Sequence, residues 1–341
     1  MIPISSYSLN QYHLLRQTEK SENVGLPAFH ASGISDLLSQ GDKALNENRL
    51  QDALKFYNEA KAKDPNNSIV YRKIAKTQQS LKDYASAQKN YETYLETNPN
   101  DVDTIINLGE VQRQQGLYKI ALATFERASK LAPNNDLAKR SILETKNNLL
   151  AAYDPAKARR EKQEYAAKNL TEALNMTVEY MTPEYMKDLT DVVIQFGETA
   201  QMGGASNIAQ YENYIKTITV SDSYIYASPQ VIAAYLSHES VHAHDKDPYT
   251  SIREEQDAYE VATKFWLQHS NGIEDPEMDY AAELYNQSPA TLKNRVEEIY
   301  LLRDPSISKT SPNHPPQKKF TLNPFKKNVA SVPIKTYDVI A

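Results

Sequence analysis

The sequence AQKNYETYLETNP, residues 87–99, decides the fold of the N-terminal half, because its pattern of small, aromatic and proline residues recurs at a fixed spacing. Pro65, Pro99 and Pro133 stand 34 residues apart, and each is followed by asparagine. An internal period of this length is typical of stacked helical hairpins. The recurring columns are small residues at Gly41, Ala75 and Gly109 and again at Ala53, Ala87 and Ala121, a large aromatic at Tyr57, Tyr91 and Phe125, and then Ala60, Tyr94 and Ala128.

This pattern resembles three tetratricopeptide repeats that cover residues 34–135. The resemblance implies a mainly α-helical solenoid of antiparallel helix pairs, in which each pair buries its apolar face against the next. The last pair then needs a cover. The amphipathic run from Asp136 to Ala152 predicts a capping helix, and the capping helix and linker together span residues 136–153.

The resemblance also implies a partner. Arrays of this kind usually present a concave groove to a peptide or a partner protein, so we expect the repeats to bind a protein substrate or a protein partner. A spacer or a self-association surface is the alternative. No run of lysine or arginine marks the groove as a clamp for carboxylates, so the sequence does not specify the chemistry of the partner.

Composition excludes several classes of function. The chain has 341 residues, enough for two or three domains with their own cores. A formal net charge of -6 provides no overall positive field for nucleic acid, so no nucleic-acid partner is predicted. Because cysteine is absent, any metal must be bound by histidine, aspartate or glutamate. No stretch resembles a signal peptide or a transmembrane segment, which predicts a soluble cytoplasmic protein, with non-classical export as the alternative.

A second domain is predicted over residues 154–303, because Asp154-Pro155 ends the repeat pattern. Thr182-Pro183 predicts the start of a helix that continues to Phe196. The β-branched alternation from Tyr214 to Val220 predicts a strand, and Tyr224-Ile225-Tyr226 predicts a second one. The domain is therefore predicted to mix helices with a small β-sheet.

Both ends of the chain are predicted to lack a stable fold. Residues 1–33 are polar and mixed, and we expect them to be disordered or weakly ordered. Residues 304–341 are rich in proline and lysine and contain too little apolar surface to fold alone, which predicts a disordered tail.

The segment His238-Glu239-Ser240-Val241-His242 carries the chemistry of the second domain. Ser228-Pro229 predicts the start of a helix that runs through it. Two histidines four residues apart on a helix project from one face, so both imidazoles can bind one Zn²⁺ ion. Glu239, between them, is placed to take a proton from a water molecule that the metal activates. The sequence therefore predicts an HExxH zinc site with Glu239 as the general base.

A catalytic zinc ion needs a third protein ligand, and a second helix follows at a suitable distance. Ser251-Ile252-Arg253-Glu254 has the form of a capping box, which would occupy Glu254 at the helix start and leave Glu255 free. Glu255 is therefore the predicted third ligand. Glu254 remains the alternative, because both glutamates flank the apolar face of the helix.

From these residues outward, the domain resembles the gluzincin branch of zinc metallopeptidases, over residues 165–270. In that family HExxH is completed by a glutamate on a later helix, often within ExxAD; the matching segment here is Glu255-Gln256-Asp257-Ala258-Tyr259. Tyr259 replaces the aspartate that would support a ligand histidine. Membership would imply an α+β zincin-like fold in which the substrate runs antiparallel along an edge strand, either Tyr214–Val220 or Tyr224–Tyr226.

A second group that polarises the substrate carbonyl is usual in such enzymes. Tyr226, Tyr235 and Tyr259 are the possible oxyanion or supporting residues, although each tyrosine is more often a packing residue.

The predicted function is that of a zinc metallopeptidase, a hydrolase whose repeats recruit or restrict its substrates. Two alternatives stay open. One is a tetratricopeptide adaptor for protein-protein interaction with a structural or inactive zinc-binding domain. The other keeps the zinc but hydrolyses an amide in a non-peptide substrate. Glu239 favours hydrolysis, since an adaptor has no need of a general base between two histidines.

Overall fold

The computed structural model describes residues 28–181, 191–199, 201–202, 205–206, 208–244 and 251–303. These residues form two compact units, 28–159 and 160–303. The predicted disordered tail lies outside the described residues, as does the N-terminal segment up to residue 27. Residues 28–33 already belong to the first helix. Within the described ranges, no helix is both long and apolar enough to cross a membrane.

The first unit is built from consecutive α-helices that pair as the repeat pattern predicts. Helices α1 and α2, α3 and α4, and α5 and α6 form the three hairpins, and α7 covers the last one. The bounds are α1 (Ala28–Asn46), α2 (Leu50–Lys63), α3 (Ser68–Ser80), α4 (Tyr84–Thr97), α5 (Val102–Gln114), α6 (Tyr118–Leu131) and α7 (Asp136–Ala151).

Each hairpin turns through one residue with a positive φ angle. Asn48, Lys82 and Gly116 occupy equivalent places in the three repeats and have φ angles of 56°, 61° and 76°. This left-handed conformation reverses the chain within a few residues and is strained for a residue with a side chain. Side-chain oxygens cap the starts of α4, α5 and α7, as when Asp101 at the start of α5 accepts a hydrogen bond from Thr104 N at 3.0 Å.

The small-residue column of the repeats is explained by direct packing against the aromatic column. A methyl group added at Gly41 would lie 2.3 Å from the Tyr57 ring, and one added at Gly109 would lie 2.6 Å from the Phe125 ring. Both aromatic side chains are fully buried. The two helices of a hairpin therefore approach each other at a glycine, which the ring of the second helix covers.

Gly109→Ala is expected to lower the free energy of unfolding of the first unit by about 1–3 kcal/mol, because the added methyl group displaces the buried Phe125 ring. Urea denaturation followed by circular dichroism measures the change. Gly33→Ala is the control, since its methyl group would meet only the flexible end of Lys63, at 3.2 Å. An equal loss of stability in both variants would contradict the packing explanation.

The second unit combines helices with two small sheets. Its helices are α8 (Pro155–Tyr180, which begins in the first unit), α9 (Pro229–His244), α10 (Ile252–His269), α11 (Pro276–Gln287) and α12 (Pro289–Arg303). Its strands are β1 (Val193–Gly197), β2 (Gln201–Met202), β3 (Ala205–Ser206), β4 (Ala209–Glu212) and β5 (Thr217–Ser221).

The three-stranded sheet has the order β1-β5-β4, and β2 and β3 form a separate hairpin. Strand β5 pairs with β1 in parallel, with Ile218 opposite Ile194, and with β4 in antiparallel, with Ile218 opposite Tyr211. The core lies between this sheet and α8, α9 and α10, and includes Ile218, Ile232 and Phe265.

The structure corrects four predictions about this region. Residues 193–196 lie in β1 and not in a helix, while the start of that predicted helix, residues 182–190, lies outside the described residues. The strand predicted from Tyr214 begins only at Thr217, because the chain turns at Lys216 with a φ angle of 48°. It is also the central strand and not an edge strand. Tyr224–Tyr226 forms no strand.

The reason for the last correction is a turn after β5. The Ser221 side chain accepts a hydrogen bond from Ser223 N, and residues Asp222–Tyr224 form a short 3-10 helix. A serine cap of this kind offers the backbone an alternative to a strand ladder, which outweighs the strand propensity of tyrosine and isoleucine.

Candidate metal centre

The helix that carries the HExxH segment is buried along most of its length. Every residue of α9 from Val231 to Ala243 is buried, including all four polar or charged residues of the segment, which are His238, Glu239, Ser240 and His242. Asn169 on α8 fixes the start of α9 by donating a hydrogen bond to the Ile225 carbonyl oxygen at 2.9 Å. The two histidines therefore project from a rigid helix into the interior of the unit.

The histidines and one glutamate meet at a single point. His238 Nε2 and His242 Nε2 are 3.3 Å apart. On α10, the Glu255 carboxylate places Oε2 3.4 Å from His238 Nε2 and Oε1 3.6 Å from His242 Nε2. One donor atom from each of the three side chains lies within 4.8 Å of the others. The structure thus brings together the three residues that the sequence selected as ligands.

The chemistry of these donors fits a zinc ion. Two imidazoles and one carboxylate are a common ligand set for catalytic zinc. Both Glu255 oxygens are buried, and their distances of 3.4 and 3.6 Å to the histidine nitrogens are long for hydrogen bonds. A buried carboxylate is costly unless a nearby cation compensates its charge. The cluster would therefore gain from a divalent ion held by His238, His242 and Glu255.

Electrostatics at the cluster also favours positive charge. Burial lowers the pKa of His242, but the carboxylates of Glu255, Glu254 and Glu239 outweigh burial and raise the pKa of His242 to about 10. Burial raises the pKa of Glu255, but His242, His238 and the Tyr300 hydroxyl together leave the pKa of Glu255 below its ordinary value. In the absence of metal, a proton on His242 supplies part of the positive charge that the carboxylates require.

Glu254 lies on the other side of His242. Its Oε1 is 2.6 Å from His242 Nδ1, so a proton on Nδ1 is shared with this carboxylate and Nε2 is directed toward Glu255. A carboxylate behind a histidine fixes the tautomer and the ring orientation that a metal requires. Glu254, the alternative third ligand, therefore lies behind the predicted ligand His242, while Glu255 lies with His238 and His242 in the candidate cluster.

The predicted capping box is present at the start of α10. Ser251 Oγ accepts a hydrogen bond from Glu254 N at 3.2 Å, and Glu254 Oε2 accepts one from Ser251 N at 3.4 Å. This cap fixes the first turn of α10, and with it the two consecutive glutamates that contact opposite nitrogens of His242.

The predicted general base, Glu239, is held by the sheet. Its Oε2 accepts a hydrogen bond from Tyr211 N on β4 at 2.8 Å. Its Oε1 is buried and has no hydrogen-bond partner among the described residues. One oxygen of the carboxylate is thus anchored, and the other is available for proton transfer.

The three tyrosines proposed from sequence have different surroundings. The Tyr259 ring packs edge-on against His238, with centroids 4.7 Å apart, and its hydroxyl lies 3.5 Å from Glu277 Oε1. The Tyr235 hydroxyl faces Asp275 Oδ1 at 3.3 Å, and the Tyr226 ring packs on Tyr165. The Tyr259 ring thus places an aromatic edge against a predicted ligand, at the position where the family pattern has an acid.

Two groups that contribute to the candidate site are not predictable from the sequence. Tyr300 on α12 contributes its hydroxyl to the environment of Glu255, and the Tyr211 backbone amide anchors Glu239. The sequence around Tyr300 predicts only a helix that packs against the rest of the domain. The Tyr211 group is a backbone amide, which does not depend on the identity of the residue. No sequence signal would have found either one.

Comparison with known proteins supports the identification of the N-terminal repeats as tetratricopeptide repeats. The tetratricopeptide repeat family model matches residues 78–142. Mouse (Mus musculus) sperm-associated antigen 1 is 24% identical over 141 residues, which are 41% of this chain and 16% of that protein. The small glutamine-rich tetratricopeptide repeat-containing protein of Dictyostelium discoideum is 28% identical over 122 residues, 36% of either chain. This chain therefore spans well under half the length of these curated relatives.

Solved structures give weaker likenesses. The first tetratricopeptide repeat domain of Spaghetti (RPAP3), bound to the HSP90 peptide SRMEEVD, is 20% identical with a TM-score of 0.33, and the match covers 35% of this chain and 94% of that one. The Sgt2 tetratricopeptide repeat domain from Aspergillus fumigatus is 22% identical with a TM-score of 0.33, over 35% and 80% of the two chains. The sequence pattern, the helix hairpins and the family model agree that the N-terminal unit contains tetratricopeptide repeats, which are protein-protein interaction modules.

Proposed function

We propose that the second unit is a zinc-dependent hydrolase of peptide bonds and that the tetratricopeptide repeats bind its protein substrate or a protein partner. The observation that carries the proposal is the buried convergence of His238, His242 and Glu255 beside Glu239. A zinc ion held by such a set activates a water molecule and polarises a carbonyl oxygen.

The protein's own residues supply the proton transfers. Glu239 Oε1 is the oxygen that takes a proton from the attacking water, because Oε2 is engaged by Tyr211 N. The same oxygen then donates that proton to the leaving amine. Glu254 holds His242 in the tautomer that leaves Nε2 free for the metal. Burial of the site excludes bulk water and strengthens these interactions.

Strand β4 is the part of the sheet best placed to align a substrate. It is the end strand of the three-stranded sheet, and its residue Tyr211 contacts the general base directly. A peptide that runs along β4 would present its carbonyl groups near Glu239. This assignment replaces the two edge strands expected from sequence.

In the first unit, the first helices of the repeats carry a network of paired charges. Lys73 on α3 lies 2.6 Å from Asp42 on α1, and Arg113 on α5 lies 2.9 Å from Glu144 on α7. Arg72 lies 3.3 Å from Asp101. These cations already have carboxylate partners within the first unit. We therefore expect the repeats to recognise a partner protein through a mixed polar surface, and not through a set of free cations that binds a carboxylate.

A second function has its own support. The family model and the curated relatives match the repeats, which favours an adaptor whose zinc-binding domain is structural or inactive. These comparisons support partner binding more directly than they support hydrolysis. The adaptor accounts for the ligand cluster but gives no role to the Glu239 oxygen that lacks a partner among the described residues.

The test is to incubate a mixture of denatured proteins with zinc-loaded wild-type protein and, separately, with zinc-loaded Glu239→Gln, and to identify new termini by mass spectrometry. We expect cleavage by the wild type and a rate lower by roughly 10²–10⁴-fold in the variant, which keeps the metal but lacks the base. A mixture left equally intact by both would favour the adaptor. Hydrolysis of small amides alone would favour the non-peptide hydrolase.

A further inference from the structure

One carboxylate joins the start of α10 to the metal centre. Glu254 Oε2 accepts a hydrogen bond from Ser251 N at 3.4 Å, and Glu254 Oε1 lies 2.6 Å from His242 Nδ1. The return bond of the cap runs from Glu254 N to Ser251 Oγ at 3.2 Å. All three residues are buried. The capping box and the contact with His242 therefore each use one oxygen of the same carboxylate.

This sharing constrains the carboxylate. A glutamate side chain on a helix has several rotamers, and a hydrogen bond at one oxygen still permits rotation of the group. Here the cap holds Oε2, which leaves Oε1 pointing at the imidazole. In Ser251→Ala, Glu254 N loses its side-chain acceptor, while the backbone amide of residue 251 can still donate to Glu254 Oε2. The first turn of α10 is then held less tightly, and with it the amide that orients the carboxylate.

We propose that the cap is a positioning element of the metal site: Ser251, which is not itself in the ligand cluster, acts through Glu254 on His242 and thereby strengthens zinc binding. The proposal rests on the zinc site proposed above and extends it to a residue without a ligand atom. By linkage, zinc binding strengthens the start of α10 by the same free energy that an intact cap contributes to zinc binding.

The unit contains a matched control for this proposal. Ser288 caps α12 in the same way, since its Oγ accepts a hydrogen bond from Thr291 N at 3.1 Å. Both hydrogen bonds of Ser288 Oγ are made with Thr291, in the first turn of α12, which is away from the residues of the candidate cluster in sequence and carries no predicted ligand. Ser288→Ala and Ser251→Ala therefore remove the same kind of cap from neighbouring helices, and only one of the two caps shares a carboxylate with a predicted ligand.

The experiment measures zinc affinity of the purified full chain by competition with a chromophoric chelator. We expect Ser251→Ala to weaken zinc binding by about 3- to 10-fold and Ser288→Ala by less than about twofold. Thermal unfolding of the metal-free proteins checks that both variants are folded and comparably destabilised. Equal zinc affinities in the two serine variants would overturn the proposal.

A double variant, Ser251→Ala with Glu254→Gln, distinguishes a positioning effect of Ser251 on His242 from a general loss of stability that weakens zinc binding. Glu254→Gln alone is expected to weaken zinc binding by about 10- to 100-fold, and adding Ser251→Ala should cause no further loss, because the residue that transmits its effect is already gone. If the loss of zinc affinity in the double variant equals the product of the two single losses, the proposal is overturned, although the zinc site itself remains. Absence of zinc from the wild-type protein would instead overturn the proposed zinc site, and this inference with it.

Discussion

Alanine at His238, His242 or Glu255 is expected to abolish stoichiometric zinc binding, with a loss of affinity of at least about 10³-fold for each, because a three-ligand site cannot hold the ion with two. Glu254→Ala should cost less, about 10- to 100-fold, since Glu254 contacts the far nitrogen of His242 and would not touch the metal. Metal analysis of the purified variants after dialysis measures the difference.

Glu260→Ala is the control for these variants. Glu260 lies on the same helix as Glu255, but its partners are Lys264 and Lys293, at 2.6 and 2.8 Å. Its removal should leave zinc content unchanged. Equal zinc loss from Glu254→Ala and Glu255→Ala would contradict the assignment of the third ligand.

Zinc affinity is expected to rise about tenfold for each pH unit between roughly pH 6.5 and 9, because zinc must displace one proton from His242. The surrounding carboxylates, acting against burial, raise the pKa of His242 to about 10 in the metal-free protein, so that proton is present throughout this range. Chelator competition at several pH values measures the slope. An affinity independent of pH over this range would contradict the electrostatic description of the site.

The metal-free protein should show the opposite trend in stability. The folded-state pKa of His242 lies above its ordinary value of about 6.5, so its contribution to stability is fully present below that value. The contribution is then lost as the pH rises toward 10. Urea denaturation in the presence of chelator should therefore give a lower free energy of unfolding at pH 9 than at pH 6.5. His242→Gln should lose most of this dependence.

The repeats could be predicted from sequence because their determinants are local and recur. The columns of small and aromatic residues correspond to direct contacts between the two helices of a hairpin, as at Gly109 and Phe125. The capping box at Ser251 was predictable for the same reason, since both partners lie within one helical turn. Local patterns of this kind identify helix starts and the faces that pack.

The sheet and the surroundings of the site depend on contacts between distant parts of the chain. The sequence of β1 or β5 alone does not indicate that the two strands pair in parallel. Strand β5 is central because β1 and β4 flank it on either side, which depends on the whole sheet. The contact between Glu254 and His242 depends on how α9 and α10 pack, which also brings Tyr259 against His238. Sequence therefore selected the three candidate ligands that the structure brings together, and left the residues that support them undetermined.

The most direct test of the metal centre is native mass spectrometry of the wild-type chain, purified without chelator and supplied with one equivalent of zinc. The ligand cluster predicts a mass increase of one zinc ion per chain, which is lost in His238→Ala and kept in Glu239→Gln. A wild-type chain that remains metal-free, or one that gives the same spectrum as His238→Ala, would contradict the account.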